Sequence, residues 1–235
     1  MGLISKMKKT STIIPILAVA FLCFLLGSCK KTEDYTRPIS YLSIYNATES
    51  PLNFKIGEED RYSAALGTGT SSGYIGVYEG TWPLLATLAS NPPAQASVQA
   101  NLIGDEVQSL FVLRSSDSLE FFTIKDDLNI RNPDRPLVKF LNLSPDTDGL
   151  TLTMTLLNTP TTFENVKYKQ PSAYQELDEK SSYIINLTNS SNGQNVIEET
   201  SFAFEKGKIY TIWTTGRLNA ATPATEIRMV ITEEK

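Results

Sequence analysis

The sequence predicts an all-β protein of two tandem β-sandwich repeats behind a secretory leader. Three observations carry that expectation. Apolar stripes of helical period are scarce after the leader. Short alternating runs rich in β-branched and aromatic residues recur instead, separated by Gly, Pro, Asn, Asp and Ser. The chain also resembles itself at an interval of about a hundred residues, the size of one sandwich.

The leader comes first. Lys6, Lys8 and Lys9 precede Ile13 to Leu26, fourteen residues without a charge. Leu26-Gly27-Ser28-Cys29 follows, and Lys30-Lys31 closes the apolar stretch. Charge, apolar core and small residues, in that order, are a secretory signal. The run is short of the ~20 residues that a membrane span needs. Leu26 to Cys29 resembles the bacterial lipobox. That resemblance implies cleavage before Cys29 and a diacylglycerol on its sulfur. One acyl chain anchors only marginally, whereas two or three hold a protein on a membrane. Residues 1–28 are therefore expected as a signal peptide and 29–37 as a lipidated tether. The body is expected in the cell envelope, anchored to the outer membrane, its face undetermined. Lys30 to Asp34 loosely resembles the charged segments that send such lipoproteins to the cell surface.

The strand candidates follow in order: Ile39 to Asn46, Gln95 to Leu102, Val107 to Arg114, Leu137 to Leu143, Leu150 to Leu157, Ser182 to Thr188, Lys208 to Thr215 and Glu226 to Thr232. Many short strands with turns between them point to a sandwich or barrel. Four stretches recur in the same order. Tyr41 to Thr48 with Leu52 to Ile56 parallels Val138 to Ser144 with Leu150 to Met154. Ser72-Gly73-Tyr74 parallels Ser172-Ala173-Tyr174, Trp82 to Leu85 parallels Tyr183 to Asn186, and Gly104 to Phe111 parallels Lys206 to Trp213. The expected division is 38–125 for the first repeat, 126–135 for a linker containing Asn132-Pro133, and 136–235 for the second repeat.

Composition narrows the chemistry. The chain has no histidine and two cysteines. Cys23 leaves with the signal peptide and Cys29 carries lipid. Ser-His-Asp and Cys-His catalysis and His- or Cys-based zinc sites are excluded from the mature body. Removing residues 1–28 takes three lysines and no acid from 21 basic and 26 acidic residues, leaving a net charge of −8. That opposes nucleic-acid binding, which needs basic surface. No cofactor is expected, and the protein is not expected to be an enzyme.

Few residues remain as candidates. Asn142, Ser144, Asp146, Asp148 and Gly149 gather oxygen ligands before a turn, as a calcium loop does, but Thr155 stands where the bidentate acid belongs. The alternative is a structural turn whose side chains satisfy the backbone. Ser118, after Asp117, is a candidate for O-glycosylation. Trp82, Trp213 and the tyrosines offer aromatic faces for a sugar. For Trp213, on a strand apolar on both faces, core packing is the better reading. The acidic pairs, among them Asp126-Asp127, are expected in solvated turns.

Phe140-Leu-Asn-Leu-Ser-Pro-Asp146 resembles the opening strand and turn of the domain of unknown function 4397. Lys206-Gly-Lys-Ile-Tyr-Thr-Ile-Trp-Thr-Thr-Gly216 is similar to that family's later strand. The resemblance covers most of 137–232 and extends more weakly over 39–124, where Asn46-Ala47-Thr48 lacks the Pro-Asp. It implies tandem immunoglobulin-like sandwiches on a lipoprotein of the Bacteroidota, and no catalytic residues. The function expected is non-catalytic binding of a glycan or an envelope protein. The alternatives are a structural fimbrial or adhesin subunit and a carboxylate-dependent hydrolase.

Overall fold

The computed structural model describes residues 37–58, 63–89, 94–115, 118–178 and 182–234. The stretch expected as a signal peptide, Cys29 and nearly all of the expected tether lie outside the described residues. Pro38–Lys235 forms one compact unit. It is all-β, as expected. Its one described helix is a single 3-10 turn, Pro223–Thr225. Among the described residues no helix is long and apolar enough to cross a membrane.

The first repeat supplies β1 (Ile39–Ala47), β2 (Leu52–Ile56), β3 (Ser63–Leu66), β4 (Ser71–Tyr78), β5 (Gly80–Leu88), β6 (Gln95–Leu102), β7 (Val107–Ser115) and β8 (Ser118–Lys125). They form two sheets, β4-β1-β7-β8 and β3-β2-β5-β6. The second repeat supplies β9 (Leu137–Asn142), β10 (Leu150–Leu156), β11 (Thr159–Val166), β12 (Gln170–Pro171), β13 (Gln175–Glu176), β14 (Ser182–Asn189), β15 (Thr200–Ala203), β16 (Ile209–Thr215) and β17 (Arg228–Glu234). Its sheets are β12-β9-β16-β17, with β13 also on β9, and β11-β10-β14-β15. The plan repeats in detail. β1 pairs in parallel with β7 and β9 in parallel with β16, while the other pairings are antiparallel.

Each repeat closes its own core. Leu42, Ile44, Leu52, Phe54, Leu84 and Val112 fill the first. Val138, Phe140, Leu152, Ile185, Leu187 and Ile212 fill the second. A third cluster joins them: Tyr45, Ala47, Phe111, Leu113 and Ile124 pack against Leu141, Leu143 and Trp213. The period-2 geometry of a strand explains how β1, β7, β9 and β16 serve two clusters at once. On β1, Leu42 and Ile44 enter the first core while Tyr45 and Ala47 face the other sandwich. On β16, Ile212 enters the second core and Trp213 points the other way. All seven residues of β16 are buried. The result is four layers of sheet, with the two inner sheets covered on both faces.

The eight strand candidates coincide with β1, β6, β7, β9, β10, β14, β16 and β17 to within a few residues. Strands β4 and β5 carry Gly73, Gly76, Gly80 and Pro83, residues that weaken a strand signal. Segment 126–135 carries no strand, but Asp126 at its start is only 5% exposed. The expectation of a solvated turn for the Asp126-Asp127 pair holds for Asp127 and fails for Asp126. Asp126 continues the β7–β8 ladder, its N–H donating to the Val107 carbonyl, and this carries its side chain under the second sandwich.

Candidate functional site

The turn singled out in the sequence spends its side chains on separate bonds. Asn142 is fully buried. Its Nδ2 donates to the Val166 carbonyl and to Thr147 Oγ1, both at 2.9 Å. Its Oδ1 accepts from the Ser144 N–H at 3.0 Å and Thr214 Oγ1 at 3.2 Å. Asn46 does the same in the first repeat, donating to the Leu66 and Ser50 carbonyls and accepting from Thr48. Each Asn thereby ties the end of an inner strand to the edge strand of the opposite sheet. Asp146 instead accepts from the Leu218 and Asn219 N–H groups, both at 2.8 Å. The Asp148 carbonyl accepts from Lys167. A Cβ on Gly149 would lie 2.2 Å from Asn165 Oδ1, so a side chain there would have to displace the Asn165 amide. Ser144 Oγ is buried without a partner. Among the described residues no three His, Cys, Asp or Glu side chains are grouped to hold a metal ion. Ser118 is exposed at the start of β8, its Oγ donating to the Ser115 carbonyl at 3.1 Å. Asp117 lies outside the described residues.

The two tryptophans stand apart. Trp82 packs part of its ring on the first core and donates Nε1 to the Tyr78 carbonyl at 2.8 Å. Trp213 is fully buried between the sandwiches, edge-on to both Tyr45 and Phe111. No sugar reaches it there.

The inner sheets bury a polar cluster that sequence reasoning missed. Lys139 and Asp126 form an ion pair with side chains 3% and 0% exposed. Asp126 also accepts from Ser109 Oγ at 2.7 Å and Tyr74 Oη at 3.0 Å. Glu234 accepts from Tyr45 Oη at 2.6 Å and Thr211 Oγ1, and shares the single Tyr74 hydroxyl proton, at 3.1 Å, with Asp126. The Lys139 ammonium lies 5.1 Å from the centre of the Tyr174 ring. Burial pulls the Lys139 pKa down, but Asp126, Tyr174 and Glu234 together outweigh it and the net shift is upward. Burial raises Glu234 above the usual carboxylate range, against the lowering from its hydroxyl donors and Lys139. Tyr45 and Tyr74 are pushed well above their ordinary values by burial and by Glu234. The legible signal was Lys139 itself, a lone charge inside the apolar run Leu137 to Leu141.

At one end of the same interface a cleft of about 150 Å³ opens between the sandwiches. Ala47, Leu113 and Leu143 line it together with Arg114, Arg217 and Arg228 and the acids Glu49 and Glu226, leaving basic groups one in excess. Arg114 pairs with Glu49 at 2.8 Å. Arg228 donates to the carbonyls of Pro223 and Ala224 and so braces the loop that follows Gly216. Gly216 has φ +81°, and a Cβ there would lie 2.2 Å from the Glu226 carbonyl oxygen, so only glycine lets the loop close. Tyr168 also lines the cleft, its pKa pushed up to about 12 by burial and by Glu120 and eased by Arg217.

No protein-family model matches the chain. No curated protein matches it either. Among solved structures it is similar to the TIE protein of Bacillus anthracis, at 14% identity and a TM-score of 0.24, over 77% of this chain and 34% of that one. The chain thus spans about a third of the Bacillus anthracis protein. A protein of Bacteroides fragilis assigned to cell adhesion aligns at 11% identity and a TM-score of 0.23, over 80% of this chain and 84% of that one. Another with the same assignment, from Parabacteroides distasonis, aligns at 7% identity and a TM-score of 0.24, over 85% and 99%.

Proposed function

We propose that this protein is a lipid-anchored envelope lipoprotein whose two sandwiches act together as a non-catalytic binding module. The cleft lined by Arg114, Arg217 and Arg228 is the observation that carries the reading. Its volume suits one ring-sized group. Arginine's planar fork matches carboxylates and sugar hydroxyls, and the Ala47, Leu113 and Leu143 lining suits an apolar ring face. The ligand class it fits best is an acidic sugar or a peptide carboxylate. The lack of histidine, and of cysteine after Cys29, leaves the body without the commonest general base and the best nucleophile.

The test is a screen of the full chain in detergent against glycan and peptide panels, with glycosidic and ester substrates in parallel. Saturable binding of carboxylate-bearing ligands without turnover is expected. Arg217→Ala should weaken it about tenfold or more, the loss of one charge-assisted contact, with the melting temperature unchanged. Equal affinity in the variant would place binding elsewhere. Turnover lost on replacing one Asp or Glu would overturn the non-catalytic reading. The anchor is tested separately. Cys29→Ala should leave a processed body that no longer fractionates with membranes; a processed body still on the membrane would sink the lipid model.

A further inference from the structure

The buried cluster is built twice, from equivalent positions of the two repeats. Ser43 pairs with Ser109 on β7 and with Tyr74 on β4. Lys139 pairs with Thr211 on β16, and Tyr174 lies beside it. Ser109 and Thr211 each donate to an acid at the end of the next strand, Asp126 just past β8 and Glu234 the last residue of β17. Those acids are also equivalent: Asp126 bonds back to Val107, and Glu234 is registered with Ile209. The sets Ser43–Tyr74–Ser109–Asp126 and Lys139–Tyr174–Thr211–Glu234 therefore differ mainly at one position. Where the second repeat has a lysine, the first has a serine. Lys139 neutralises the acid of the opposite repeat, Asp126. Ser43 cannot do the same for Glu234.

Three further observations concern the Ser43 side. Ser43 is 1% exposed and, among the described residues, its Oγ makes no hydrogen bond of normal geometry, although it lies near enough to the Tyr45 hydroxyl to act on it. Ser43, Tyr45, Tyr74 and Glu234 line one cleft of about 370 Å³. Among the described residues the charged groups of the cluster are Asp126, Glu234 and Lys139, and an ionised Glu234 leaves them one negative charge in excess. Glu233, also on the cleft, is matched by Lys208 at 2.7 Å. Buried charge without compensation is costly, and hydroxyl and carboxylate oxygens are hard donors suited to hard cations. A tyrosine hydroxyl that donates to Glu234 keeps lone pairs for a cation.

We propose that the cleft between Ser43 and Glu234 is a site for one small monovalent cation, held by the Glu234 carboxylate and the hydroxyls of Ser43, Tyr45 and Tyr74. The ion takes the part on this side that the Lys139 ammonium takes on the other. Sodium, potassium and the ammonium ion fit the charge balance. A divalent ion would reverse it.

Two measurements on the full chain in detergent test the site. Melting temperatures are compared in potassium chloride and in tetramethylammonium chloride at equal ionic strength, the second cation carrying its charge inside methyl groups that the four oxygens cannot coordinate. The wild type should melt about 3–6 °C higher in potassium at an ion concentration tenfold above its Kd. That difference should vanish in Ser43→Lys, where the new ammonium faces Glu234, and in Glu234→Gln. Equal melting in the two salts for the wild type, or a difference that persists in both variants, overturns the site. If either variant fails to fold, crystals of the wild type grown with thallium(I) decide the matter. An anomalous peak between Ser43 Oγ and Glu234 confirms the site, and its absence there overturns it.

Discussion

Lys139→Met is expected to destabilise the body by about 3–5 kcal/mol, the usual cost of stranding one partner of a buried ion pair. Lys139 is 2% exposed, and among the described residues no other ammonium or guanidinium bonds to Asp126. Methionine keeps the side-chain length but leaves Asp126 with only Ser109 and Tyr74 as donors. For a domain of this size the loss amounts to a fall of roughly 6–20 °C in melting temperature. Adding Asp126→Asn to Lys139→Met should recover most of it, because replacing both ends of a buried pair is often close to neutral. Denaturation of the wild type, the single variant and the double variant measures the coupling. A single-variant loss below about 1 kcal/mol would mean the pair is solvated like a surface bridge. The pH dependence has a definite sign. The folded pKa of Lys139 is raised from its usual 10.5. Its contribution is therefore complete below that value and is lost as pH rises through the folded pKa. The gap between wild type and Lys139→Met should hold through neutral pH and close only in strong alkali.

Trp213→Ala is the second large effect, expected to cost about 3–5 kcal/mol. The ring is fully buried, 5.6 Å from Phe111 and 6.1 Å from Tyr45, with Nε1 donating to Thr232 Oγ1 at 3.1 Å. Its location makes the outcome distinctive. The lost contacts lie between the sandwiches and not inside either core. Cooperativity between the repeats should therefore fall along with stability. Trp213 and Trp82 are the two tryptophans of the chain. In the variant, tryptophan fluorescence reports the first sandwich alone, while circular dichroism reports both. Two non-coincident transitions are expected where the wild type has one. Coincident transitions with a small loss would mean that the interface contributes little to the joining of the repeats.

Much of this architecture was legible because β-strands write their environment into a period of two. Both faces of Ile209 to Thr215 are apolar or small, and that alone signalled a strand covered on two sides. The repeat was readable because the same structural duties recur: Ser72 and Ser172 accept from the N–H groups of Ile44 and Phe140, each at 2.9 Å. The cluster was not readable, for a physical reason. A strand's pattern reports that a face is buried but not what lies opposite. Lys139 within Leu137 to Leu141 is alone in sequence and becomes half of a pair only when the first repeat brings Asp126 across. Asp126 and Asp127 look alike as neighbours in a loop. Strand alternation sends one under the second sandwich and leaves the other in water.

The parallel pairings of β1 with β7 and β9 with β16 also set the order in which the chain can mature. A parallel partner lies far along the sequence, so its loop-closure entropy must be met before the contact forms. Neither sandwich can complete its inner sheet until its penultimate strand has been delivered. For a chain synthesised from its N-terminus, the first sandwich can close while the second is still incomplete. During that interval Tyr45, Phe111 and Leu113 face water as an uncovered apolar surface, and Asp126 waits for its lysine. The slow, vulnerable species in the life of this protein is thus a half-finished one, with a folded first repeat exposing the face that the second will cover.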